Sequence, residues 1–145
     1  NRCDRLSFRQ QDVGAFFEAL AATGRCSLDG ELSIVFLNDL EMAALHERFL
    51  NDSSPTDVLT FLGDDRDDFA GEICVSAERA WIESRDRGIA FSREVCLYLV
   101  HGWLHLAGYD DHGEADRHLM REAEKEVLSW AEADGCLPVF SYINE

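Results

Sequence analysis

Two histidines four positions apart, His101 and His105, stand in the segment His101-Gly-Trp-Leu-His-Leu-Ala-Gly-Tyr-Asp-Asp-His112. On a helix that spacing puts both imidazoles on one face, where they can chelate a single ion. Gly108 follows shortly after the second histidine, and a glycine there can adopt the left-handed conformation that ends a helix. The turn would return the chain over the histidines, with Asp111 or His112 as a third ligand. Three protein ligands with the fourth position left to water is the arrangement of a catalytic rather than a structural zinc site. One Zn2+ ion is therefore expected, and the chemistry it implies is hydrolysis by activated water.

The peptidase signature HExxHxxGxxH shares this spacing and takes its third ligand from the last histidine. Here the matching residue is Asp111, and His112 comes one later. Gly102 occupies the place of the peptidase's glutamate base. The chelate is thus present without that proton carrier, which weighs against a protease. Two rival readings stay open: a minimal metallopeptidase, and a binding module in which the metal only staples the last loop. His46 and His118 fall outside the spacing and read as ordinary surface histidines.

The elements that must position these residues follow from hydrophobic periodicity. Residues 2–8 suggest a short strand. Val13, Phe16, Phe17, Leu20 and Ala21 recur at helical spacing between Gln11 and Ala22, with Gly24 as a stop. Leu32–Leu37 reads as a buried strand. Asn38 or Asp39 then caps a helix whose inner face is Leu40, Ala43, Ala44 and Phe49. Asn51–Pro55 is a turn, Val58–Leu62 and Gly71–Ser76 are strands at antiparallel spacing, and the acidic run Gly63–Asp68 is a solvated loop. A helix spans Ala77 to Arg87 and stops at Gly88. Ser92 caps the histidine helix, which ends at Gly108. The last helix covers Glu114 to Ala133 with Leu119, Met120, Ala123, Val127 and Trp130 inward. Interspersed helices and strands imply a small α/β (α+β) sandwich: a three- to four-stranded mixed sheet with about five helices.

Composition narrows the setting. A chain of 145 residues, 46% hydrophobic and 29% charged, suits one domain over 1–145 with its own core. No apolar run is long enough to cross a membrane, and the start lacks the basic-then-apolar pattern of a secretory signal. An intracellular, cytoplasmic protein is expected. Five cysteines without CxxC spacing argue against a disulfide framework or a Cys-based zinc site, and Cys74 and Cys96, inside apolar runs, read as core residues. A net charge of −16 argues against wrapping duplex nucleic acid by a broadly basic surface and leaves room for a small basic cleft. Only one of the 13 cationic residues, Lys125, is a lysine, so phosphate contacts would fall mainly to arginine.

The chemistry-bearing segment also carries a resemblance. His101-Gly-Trp-Leu-His-Leu-Ala-Gly-Tyr-Asp110 resembles the YbeY family signature, HGxLHLxGYDH, at every position except its last. Pro55-Thr-Asp-Val-Leu-Thr-Phe61 resembles that family's PTDVLSF, Gly71-Glu-Ile-Cys-Val-Ser76 its GDI strand, and Met120-Arg-Glu-Ala-Glu124 its tail helix. These landmarks fall in the family's order across most of the chain. The resemblance implies a zincin-like fold and a zinc-dependent endoribonuclease acting on single-stranded RNA. It also implies maturation of ribosomal RNA, notably the 3′ end of the small-subunit RNA, and ribosome quality control, with rRNA or the ribosome as partner.

Two departures matter. The family's third histidine is replaced, and ungapped counting from both Tyr109 and Met120 puts Asp111 in its place; His112 would need a one-residue bulge. The family also carries an arginine shortly before Pro-Thr-Asp. Arg48 is the candidate for stabilising charge on the scissile phosphate, but it does not align without a gap and competes with a reading as a solvated helix residue. Thr56 and Asp57 are expected to fix the turn into the following strand rather than perform chemistry.

Overall fold

The computed structural model describes residues 1–26, 28–51 and 56–144. In chain order the elements are β1 (Leu6–Phe8), α1 (Gln10–Ala22), β2 (Glu31–Leu37), α2 (Asp39–Leu50), β3 (Val58–Asp64), β4 (Phe69–Ser76), α3 (Ala77–Arg87), α4 (Phe91–Leu106), α5 (Glu114–Asp134) and β5 (Phe140–Tyr142). The α+β class expected from sequence is the one observed. A three-stranded sheet has the order β2-β4-β3, with β4 parallel to β2 and antiparallel to β3. A separate antiparallel pair joins β1 to β5. That pairing of the two ends of the chain has no local signature, and β5 was not expected.

The period of two along β4 explains how the sheet is covered on both faces. Ile73 and Val75 point into the main core with Phe36, Leu99 and Leu104, whereas Cys74 joins a smaller cluster with Leu37, Met42 and Leu59. Helix α4 closes the first face and α2 the second. Cys74 and Cys96 are buried, as their apolar settings suggested, and burial pushes each thiol up to about 12.

Several elements differ in detail from expectation. On α2 the inward residue is Met42, while Leu40 and Phe49 are 80% and 54% exposed. On α5 Leu119 and Trp130 face outward, and Leu128 and Ala131 take the inner positions. On α2 adjoining apolar stripes leave the rotation open to periodicity, whereas on α5 Met120, Ala123 and Val127 face inward as expected and only the flanking positions differ. The acidic run is the connection expected over Asp65–Asp68, exposed at Arg66–Asp68, but its first two residues belong to a strand. Strand β3 continues through Asp64, and only Asp65–Asp67 form a 3-10 turn before β4. Arg66 is paired with Asp64, which offsets part of the local negative charge. Asn38 caps α2 as expected, accepting from the Glu41 amide. Ser92 does not cap α4. Its hydroxyl instead donates to the Phe140 carbonyl and accepts from the Phe140 amide, clamping β5 to the helix. The turn expected at Asn51–Pro55 lies outside the described residues beyond Asn51, which ends α2 in a left-handed conformation.

Candidate metal centre

Helix α4 is buried along most of its length, and its last two turns carry His101 and His105. Their ring centroids are 4.6 Å apart, as a four-residue helical spacing requires. The helix passes close over β4 at Gly102. A Cβ placed there would sit 2.5 Å from Cγ2 of Ile73, a fully buried side chain. Only a residue without a side chain allows that approach.

After Leu106 the chain turns. The Gly108 amide donates to the His105 carbonyl, the Tyr109 amide donates to the Leu104 carbonyl, and Gly108 takes φ 108°, which favours glycine. The returning chain places Oδ2 of Asp111 3.4 Å from Nε2 of His105 and 3.8 Å from Nε2 of His101. His101, His105 and Asp111 each offer one ligand atom within 4.8 Å of the others. The chemistry of this set, two imidazole nitrogens and one carboxylate oxygen, suits zinc or a similar transition ion.

The other nitrogen of each ring is already engaged. Nδ1 of His101 lies 2.6 Å from Oε1 of Glu124, and Nδ1 of His105 lies 3.1 Å from the Tyr109 carbonyl oxygen. A carboxylate and a carbonyl only accept, so each Nδ1 carries the proton and donates. In the neutral ring each Nε2 then keeps its lone pair for a cation. Burial of His101 favours the neutral ring, but the Glu124 hydrogen bond and charge, with Asp57 and Asp111, outweigh it and raise its pKa. The same negative surroundings favour a metal cation.

The remaining candidates are placed differently. His112 is 86% exposed and pairs with Asp110 at 3.3 Å. Asp110, Asp111 and His112 form a second three-residue group of potential donors, drawn from one exposed stretch of chain. Arg48 is exposed on the last turn of α2, with its guanidinium over the Phe49 ring. Among the described residues no contact joins it to His101, His105 or Asp111. Asp57 accepts from the Val58 amide through its carboxylate and from the Ser76 amide through its carbonyl, which ties the start of β3 to β4. Glu124 was not assigned a role from sequence. Its signal was a carboxylate on the apolar face of α5, one turn after buried Met120 and beside buried Ala123.

Comparison with known proteins identifies the family of the chain. Residues 4–132 match the family described as Endoribonuclease YbeY. A protein of that name from Acholeplasma laidlawii is 36% identical over 101 residues, 69% of this chain and 74% of that one. One from Geobacter sulfurreducens is 36% identical over 115 residues, 74% of this chain and 77% of the relative. One from Carboxydothermus hydrogenoformans is 38% identical over 102 residues, covering 69% and 71% of the two chains. The solution structure of TM1509 from Thermotoga maritima is similar with a TM-score of 0.63 and 26% identity, over 86% of this chain and 83% of that one.

Proposed function

Because this chain belongs to the YbeY family, we propose that it is a zinc-dependent endoribonuclease that cuts single-stranded RNA. Its substrate on this reading is ribosomal RNA in the cytoplasm, in maturation of the small-subunit 3′ end and in ribosome quality control. The observation that carries the catalytic part is the convergence of His101 Nε2, His105 Nε2 and the Asp111 carboxylate, each histidine tied through Nδ1.

His101, His105 and Asp111 would hold one zinc ion. When bound, such an ion supplies an activated water at neutral pH and a Lewis acid for a phosphoryl oxygen. Glu124 keeps the His101 proton on Nδ1 and orients the ring, and the Tyr109 carbonyl does the same for His105. With three protein ligands, a coordination position remains for water or substrate, as a catalytic site requires.

Two observations weigh against the rival readings. The metallopeptidase needs a carboxylate base after the first histidine, and Gly102 packed on Ile73 leaves no room for one. A purely structural ion is disfavoured because α4 is anchored by Val95, Leu99, Val100 and Leu104 in the main core, independently of the histidines.

The test joins metal analysis to a cleavage assay on structured RNA with a single-stranded tail. The protein is expected to hold about one equivalent of zinc, and chelation should stop cleavage and lower the melting temperature without unfolding the chain. His101→Ala and His105→Ala should each abolish cleavage in a folded protein. Metal-free protein that cleaves equally well, or histidine variants that unfold, would refute the catalytic assignment.

A further inference from the structure

Helices α4 and α5 run antiparallel beside the metal centre: His101 meets Glu124, and farther along Arg93 meets Glu132. Between them lies a cavity of about 250 Å3. Ile89, Leu97 and Leu128 supply aliphatic walls, and Arg93, Arg121 and Lys125 supply three cations. Two carboxylates also line it, but both are committed elsewhere. Glu124 faces His101, and buried Glu94 is paired with Arg87.

The cations on α5 form a row. Arg117, Arg121 and Lys125 are exposed and follow one another at intervals of four residues, so they share one side of the helix about 6 Å apart along its axis. Among the described residues no ion pair ties any of the three to a carboxylate, as is also true of Arg5 and Arg85, whereas Arg2, Arg9, Arg25 and Arg79 are paired. In a chain of net charge −16, three exposed cations in one row beside the metal centre are a local concentration of positive charge.

We infer that this α4–α5 groove binds the sugar-phosphate backbone of single-stranded RNA next to the metal centre, with Arg121 and Lys125 on its phosphates. Arg117 continues the row toward the loop that carries Asp111. The aliphatic walls offer an apolar surface for a nucleotide, without hydrogen-bond readout of its base. A strand held this way is selected by charge and single-stranded form, which a globally acidic protein can achieve only through a local track. The assignment rests on the endoribonuclease reading and adds to it the surface that holds the substrate.

The test measures fluorescence anisotropy of a labelled single strand of 2′-O-methyl nucleotides, which keeps the phosphates and resists cleavage, across a range of salt concentrations. Cleavage of unmodified RNA is followed in parallel. The variant Arg121→Ala/Lys125→Ala should bind more weakly, with the slope of log affinity against log salt shallower by about 1.4, or 0.7 for each lost phosphate contact. Its zinc content and melting temperature should match wild type. Arg2→Ala/Arg9→Ala removes the same charge from exposed, ion-paired sites elsewhere and should leave the slope unchanged. An unchanged slope in the groove variant, or an equal fall in the control, overturns the groove while wild-type cleavage leaves the endoribonuclease reading standing. A wild-type protein that neither binds nor cleaves RNA overturns both.

Discussion

At the residue scale, the second nitrogen of each histidine separates this pair from two imidazoles that merely share a helix face. The Glu124 carboxylate is largely buried and 2.6 Å from Nδ1 of His101, so Glu124→Ala should free that ring and weaken zinc binding about 10–100-fold. Glu124→Gln should lose less, because its amide oxygen can still accept the proton. Competition with a chromogenic chelator measures both, and equal affinity in all three proteins would remove Glu124 from the site. Asp111 and His112 separate in the same assay. Asp111→Ala should exceed about 100-fold, the upper range for an indirect partner, while His112→Ala should leave affinity nearly intact. Asp111→His should still bind, since a histidine nitrogen coordinates zinc at a range similar to a carboxylate oxygen. The reverse ranking would hand the third position to His112.

At the element scale, the contact between α4 and β4 sets the position of both histidines. Gly102 lets the helix approach until Ile73 fills the space where a side chain would stand. Gly102→Ala should therefore destabilise by about 1–3 kcal/mol through overpacking, read as a lower urea midpoint. Gly102→Glu, which recreates the peptidase motif, should be more destabilised and gain no peptidase activity. A Gly102→Ala variant as stable as wild type would show that the helix can shift away cheaply. The sequence indicated all five helices and the Met120, Ala123 and Val127 face of α5, but not the rotation of α2 or the edges of the α5 face. Met42 rather than Leu40, and Leu128 rather than Leu119, turned inward, because two overlapping apolar stripes are equivalent until a neighbouring face selects one. Ser92 has the chemistry of a cap, yet its hydroxyl bonds to β5, a partner 48 residues away.

At the scale of the whole molecule, Glu94 shows how burial couples to pH. It is fully buried on α4, and desolvation raises its pKa even though the Arg87 charge and the Tyr98 hydroxyl oppose the rise; Glu83 and Asp57 add to it. An acid whose folded pKa is raised is protonated more readily in the folded chain. Its stabilising contribution is complete below the unfolded value of 4.5 and is lost as pH climbs through the folded value. Glu94→Gln cannot ionise, so its melting temperature should fall less than wild type over that rise. Parallel curves for the two proteins from pH 4 to 8 would contradict the coupling.

The sequence by itself determined the features that depend on local backbone geometry. Helical periodicity fixes where His101 and His105 stand relative to each other, Gly108 fixes how the chain turns, and the short return brings Asp111 or His112 back over them, a choice that local geometry leaves open. Within a dozen residues the peptide geometry leaves few alternatives. The tertiary structure alone decided what lies across from these residues. Glu124, 23 residues from His101, reaches its ring only because α5 packs antiparallel on α4. Ile73 meets Gly102 only because β4 runs beneath the helix. Such partners depend on packing rotation and strand order, which arise from burying many side chains at once and leave no mark at any one spacing in the chain.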